Sequence, residues 1–246
     1  MIPKVVFKKM TLEENIDHIK WMYFNNEGEF SIKNATLEYF PDLKKIDCNM
    51  PKEKIYTIIE ELVKECYDCS LSKIEKDEKK YNEIWEKYNN HYFTELAQYL
   101  NIEWPKDRKI IVANVGLIPI FPRYLDTFSF ALSFSMNEAD VVEVVAHETL
   151  HFLWFEKWKQ LYPTCKRKEY DSPFLPWKYS EMVTDPILNS KNINRILNIK
   201  EKAYNSFYEL IDNKNNNVMD MLKNIYESND KIEEKIIKGY DYIKNI

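Results

Sequence analysis

The sequence predicts an α+β protein that is mostly helical, and three observations predict it. Apolar and aromatic residues recur at helical spacing over most of the chain, as in Ile55, Ile58, Ile59, Leu62 and Val63, or Ile232, Ile236, Tyr240 and Ile243. Two stretches near the middle have strand texture instead: 109–115 is a continuous apolar run, and 128–134 alternates with period two. The chain has only three glycines, Gly28, Gly116 and Gly239, far apart, which disfavours a Gly-rich phosphate loop. A hydrophobic content of 45% with 15% aromatics is enough for a real core.

The elements follow in order. A short apolar run, 5–7, precedes a capping box at Thr11 and Glu14, which opens a helix reaching about Asn25 with His18 on its surface. Residues 27–50 read as irregular, with Pro41 as a breaker. Asn49 and Pro51 then start a helix to about Cys69. A longer helix near 72–100 carries Tyr81, Ile84, Trp85, Tyr88, Tyr92, Leu96 and Tyr99, with His91 as a core or boundary histidine. Pro105 ends this texture, and the two strands follow, the second read as half-exposed. The loop between them carries Pro119, Pro122, Arg123 and Tyr124. Asn137, three before Asp140, caps a helix that nothing breaks before Pro163. A proline-punctuated loop over 161–176 leads to a further helix, and helices are expected at about 200–212, 216–227 and 230–244. The chain thus divides into a helical part, 1–107, a core, 108–190, and helical packing, 191–246, read together as one compact unit.

Charge and cysteines narrow the function classes. A net charge of -5, with lysines interleaved among Glu and Asp, argues against nucleic acid as a partner. The Lys-punctuated start has no signal-peptide core, and no run of about eighteen apolar residues occurs, so the expectation is a cytoplasmic protein without a membrane partner. Cys48, Cys66, Cys69 and Cys165 include one Cys-x-x-Cys but no second, so Cys66 and Cys69 read as core thiols near a helix end.

The stretch that carries chemistry is His147-Glu148-Thr149-Leu150-His151, inside the capped helix. Histidines four apart leave the same helix face one turn from each other, the spacing two metal ligands need. With four histidines in 246 residues, the pattern has a chance probability of roughly half a percent. The helix around it is apolar on nearly every side: Val141, Val142, Val144, Val145, Ala146, Leu150, Phe152, Leu153, Phe155. Such a helix is buried, and buried polar side chains are costly unless satisfied, so two histidines and a carboxylate there call for a divalent metal.

On this motif the sequence resembles the zincin metallopeptidases. The resemblance implies a zincin-like core with a small sheet and an active-site helix. It also implies one zinc ion on His147 and His151, with Glu148 as the general base acting on the water that the zinc holds. It further implies an edge strand before that helix, which lines a cleft and can hold a peptide by β-augmentation.

The third ligand separates the branches. Trp154 and Lys157 stand where the metzincins need Gly and His, and no histidine follows His151; upstream only His18 and His91 remain. A downstream carboxylate is therefore expected. Glu181 and Asp185, four apart, are similar to the Glu-x-x-x-Asp element of the gluzincins, the thermolysin-like branch. The resemblance makes Glu181 the third ligand and Asp185 the acceptor of a hydrogen bond from His147. Glu156, Glu169 and Asp171 are rivals for the ligand role. Tyr170, Tyr179, Arg123 and Tyr124 are candidates for stabilising the oxyanion. The function these features imply is zinc-dependent hydrolysis of a peptide or protein substrate. The alternative is a non-catalytic, zinc-containing peptide-binding or regulatory protein.

Overall fold

The computed structural model describes residues 1–25, 31–47 and 49–246. The chain opens with strand β1 (Lys4–Lys9) and helices α1 (Leu12–Phe24), α2 (Ile32–Tyr39), α3 (Lys52–Glu86) and α4 (Asn89–Tyr99). Strands β2 (Ile110–Gly116), β3 (Arg123–Tyr124) and β4 (Ser129–Ser133) precede the long helix α5 (Glu138–Leu161). After it come α6 (Leu175–Met182), α7 (Thr184–Leu188), α8 (Lys191–Leu197), α9 (Asn205–Tyr208), α10 (Val218–Glu227) and α11 (Ile232–Lys244). The expected α+β, mostly helical class holds, with a small mixed sheet. Two compact units result: one of residues 4–86 and 110–141, the other of 1–3, 87–109 and 142–246. No helix among the described residues is long and apolar enough to cross a membrane.

The first of these units holds the sheet, in the order β1-β2-β4-β3. β1, β2 and β4 run parallel, with Val5 opposite Ile111 and Ala113 opposite Phe130, and β3 runs antiparallel to β4. β4 differs from expectation in two respects. It is an inner strand rather than an edge, and it is buried from Phe130 onward rather than half-exposed. Its small residues, Ala131 and Ser133, tolerate being covered, so the alternation did not mark a wet face. α3 packs on β1 and β2, and α1 on α3. The capping box at Thr11 and Glu14 forms as expected. The chain entering α5 is held by two side chains of α3. Asp77 accepts the Ser135 N–H at 2.8 Å, and the Tyr81 hydroxyl accepts that of Met136 at 2.7 Å.

Other boundaries differ from expectation. Within 27–50, α2 and a 3-10 turn (Pro41–Lys45) form, while 26–30 and Cys48 lie outside the described residues. α3 does not stop at Cys69: its buried stripe of Ile59, Val63, Tyr67, Ile74 and Tyr81 runs on without a breaker. Cys66 and Cys69 are therefore mid-helix, half-buried and exposed respectively, because Tyr67 takes the inward position between them. His91 is exposed, since Tyr92, Phe93 and Leu96 form the buried face of α4.

In the other unit, α5 is buried nearly all round as expected, and Tyr92 of α4 donates to the Ala146 carbonyl at 2.7 Å. An aromatic cluster fixes α6 to it. Trp154 and Trp158 stack at 5.0 Å, and Tyr179 meets Trp154 edge-on at 5.7 Å. The Tyr179 hydroxyl is shared with that of Tyr226 at 2.8 Å and donates to the Ile236 carbonyl at 3.1 Å. Tyr179 is thus locked, and Glu181, two residues on, is placed with it. The expected helix at 200–212 shrinks to α9, because Asn198, in the left-handed region at φ 51°, ends α8 and the chain then runs extended. α8 itself went unanticipated.

Gly239 of α11 lies directly against the Tyr179 hydroxyl, where an added methyl group would collide. Overpacking a fixed core costs about 1–3 kcal/mol, and the helix-propensity gain of Gly→Ala returns about 1 kcal/mol at most. Gly239→Ala should therefore destabilise the protein by about 1 kcal/mol, lowering Tm by about 2–4 °C. Tyr179→Phe, which removes the colliding oxygen, should shrink that increment. A Tm rise in Gly239→Ala would contradict this packing.

Candidate metal centre

α5 carries His147 and His151 on one face, and their Nε2 atoms lie 3.1 Å apart. α6 brings in Glu181, whose Oε2 is 3.3 Å from His147 Nε2 and whose Oε1 is 3.5 Å from His151 Nε2. A tetrahedral metal with donors at about 2.0–2.1 Å needs ligand–ligand edges of roughly 3.4 Å. One donor atom from each of His147, His151 and Glu181 lies within 4.8 Å of the other two, with one Glu181 oxygen facing each histidine, so the three side chains can hold a metal ion. His151 and Glu181 are fully buried, whereas the His147 side chain is 23% exposed, so this ligand is the one solvent reaches.

The other nitrogen of His147 fixes its chemistry. Nδ1 lies 2.8 Å from Glu201 Oε1, and a carboxylate can only accept, so Nδ1 carries a proton and donates it there. Nε2 is then the atom turned toward Glu181. A lone pair and a carboxylate converging in a buried place require a positive charge between them, supplied by a proton or a divalent metal. The electrostatics agree. Burial opposes charge on His147, yet Glu201, Glu181 and Glu148 together outweigh it and hold its pKa well above the usual histidine range.

Glu148 follows His147 on α5 and is buried, its carboxylate near enough for its charge to act on that imidazole. Glu201, only 3% exposed, was not foreseen. It comes from the extended segment after α8, whose position is clamped from α7. Asn189, which follows α7, donates to the Glu201 carbonyl at 2.9 Å and accepts the Glu201 N–H at 3.2 Å.

Asp185, expected beside His147, is elsewhere. It accepts from Asn189 Nδ2 at 2.7 Å and from the Tyr208 hydroxyl, and it pairs with Lys223 at 3.0 Å. The cause is a helix break. Pro186 has no N–H for the Met182 carbonyl four residues back, so α6 ends and Asp185 leaves the face of Glu181. Asp185 therefore supports Asn189, and Asn189 supports Glu201.

The rival ligands are engaged away from the cluster: Glu156 with Lys159, Glu169 with Cys165, Asp171 with Arg167. Among the oxyanion candidates, Tyr179 is committed to Tyr226 and Ile236. Tyr170 stacks on Phe155 at 4.6 Å, and Phe155 in turn faces His151 at 6.4 Å between ring centres. Arg123 and Tyr124 belong to β3 in the sheet unit, where the Tyr124 hydroxyl pairs with His18 Nε2 at 2.7 Å.

Because Glu201 touches a ligand and Asp185 acts two bonds further back, their losses should differ. Glu201→Ala should weaken metal binding by about 10–100-fold, the usual cost of removing such a partner. Asp185→Ala should weaken it less, as read by competition with a chromogenic chelator. Equal losses, or none for Glu201→Ala, would contradict the relay described above. No protein-family model, curated protein or solved structure matches the chain, so its function rests on the site itself.

Proposed function

We propose that this chain is a zinc-dependent hydrolase of peptide bonds, related in its ligand set to the gluzincins. The observation that carries the reading is the triangle of His147, His151 and Glu181, with Glu148 buried on the same helix. Three protein ligands leave a fourth position for water or substrate, as catalytic zinc sites do and structural ones do not. Zinc bound there would polarise a scissile carbonyl and lower the pKa of a water molecule. Glu148 takes the proton from the attacking water and passes it to the leaving amine. Glu201 keeps His147 in the tautomer that leaves Nε2 available to the metal. The resemblance departs at this point, since the partner of His147 is Glu201 and not the motif's Asp185.

The test pairs a metal count with activity. The purified chain should bind one equivalent of zinc and cleave an unstructured protein such as casein. Cleavage should stop with a chelator and return with zinc. A chain that holds zinc with its ligands intact yet cleaves no peptide would be the non-catalytic binding protein instead.

A further inference from the structure

Behind the Glu201 segment lies a cavity of about 970 Å³ that the catalytic reading does not use. This is near the upper end of the range for small-molecule sites. Its walls include Lys191, Lys200, Lys202 and Lys223, together with Tyr99 and Tyr208. Lys223 is occupied by Asp185 at 3.0 Å. Lys191, Lys200 and Lys202 make no ion pair with any described residue, so their charges are not neutralised from within the cavity wall. The lining carboxylates do not offset them. Asp185 is buried on Lys223 and Tyr208, Glu201 is buried on His147, and only Glu227 stands exposed on the wall. In a chain of net charge -5, a concave surface with a surplus of positive charge is set against the trend of the whole.

The local backbone explains how the surplus arises. From Lys200 to Ala203 the chain is extended and alternates between exposed and buried. Glu201 and Ala203 therefore turn inward, while Lys200 and Lys202 turn outward. The clamp of Asn189 on both backbone groups of Glu201 holds this alternation in place. We propose that the cavity is a binding site for a phosphate-bearing small molecule, its anionic group held by Lys191, Lys200 and Lys202. Lysine is a point-charge binder of phosphate, and the side chains of Tyr99 and Tyr208 line the same cavity, where the rest of the ligand would lie. Lys200 and Lys202 flank Glu201, so the ligand sits on the segment that presents the partner of His147.

The site does not depend on the metal, so it is tested on the full chain with and without zinc. Inorganic phosphate and adenosine monophosphate are titrated at constant ionic strength, with chloride as the reference and succinate as a dicarboxylate. Saturable binding of both phosphates is expected, weakened at least about tenfold in Lys200→Ala/Lys202→Ala and also weakened in Lys191→Ala. Lys64→Ala/Lys80→Ala, exposed on α3, should bind as the wild type does. Unsaturable binding, equal weakening in the α3 variant, or no weakening in the cavity variants would overturn the proposal. Succinate binding as tightly as phosphate would overturn the phosphate assignment. Retained Tm in the variants separates lost binding from lost fold.

Discussion

Glu148→Gln should lower peptide hydrolysis by at least about 10²-fold while leaving zinc content, Tm and substrate binding unchanged. Glutamine keeps the size of the side chain and can still hydrogen-bond a water, but it cannot accept the proton. The position of Glu148 makes the separation clean, because the metal donors are His147, His151 and Glu181, and Glu148 is not among them. Its carboxylate does act on His147 through space, adding to the charge that holds that histidine's pKa up. The variant should therefore change the proton affinity of His147 only modestly, with Glu201 and Glu181 still in place. Steady-state kinetics decide the matter: the loss should fall on kcat, with KM nearly unchanged. Equal cleavage by wild type and Glu148→Gln would remove Glu148 from the mechanism.

The parts of this site that could be read from the sequence are those whose geometry is local. Two histidines four apart share a helix face wherever the helix lies, and the surrounding apolar residues declare that helix buried, as α5 is. Glu181 is reached only through the likeness of Glu181 and Asp185 to the gluzincin element, not through any local geometry that ties it to the histidines. Its delivery to the histidines depends on tertiary packing of Tyr179 among Trp154, Tyr226 and Ile236. Asp185 shows where local reasoning fails. Four-residue spacing implies one face only while the helix continues, and Pro186 interrupts it. Glu201 carried no local signal. Flanked by Lys200 and Lys202, it looks like any surface glutamate, and only the Asn189 clamp makes it the buried partner of a histidine 54 residues away.

The same distinction held in the fold. The capping box of α1 was legible because its signal lies within one turn, and α11 because Ile232, Ile236 and Ile243 repeat at helical spacing. The burial of β4 was not, because it depends on what covers Ala131 and Ser133. The apparent interruption after Cys69 had no physical basis either, since the buried stripe of α3 continues through Ile74 and Tyr81.

Glu181→Ala should abolish the stabilisation that zinc gives the folded chain. A ligand bound only by the native state adds about 4 kcal/mol when present at about a thousandfold above its Kd. Wild-type protein should show a zinc-dependent rise in Tm on that scale. Glu181→Ala removes the oxygens that face both Nε2 atoms at 3.3 and 3.5 Å, leaving two histidines from one helix turn and two open coordination positions. The loss in affinity should exceed the about 10–100-fold expected for a supporting partner such as Glu201. Glu156→Ala and Asp171→Ala should keep the full zinc-dependent rise, since Glu156 is paired with Lys159 and Asp171 with Arg167, away from the cluster. The comparison is best made as paired melts with and without zinc, so that any metal-independent change in Tm cancels. If Glu181→Ala keeps the wild-type rise while His147→Ala loses it, the metal is held by another carboxylate and the likeness to the gluzincin ligand set ends.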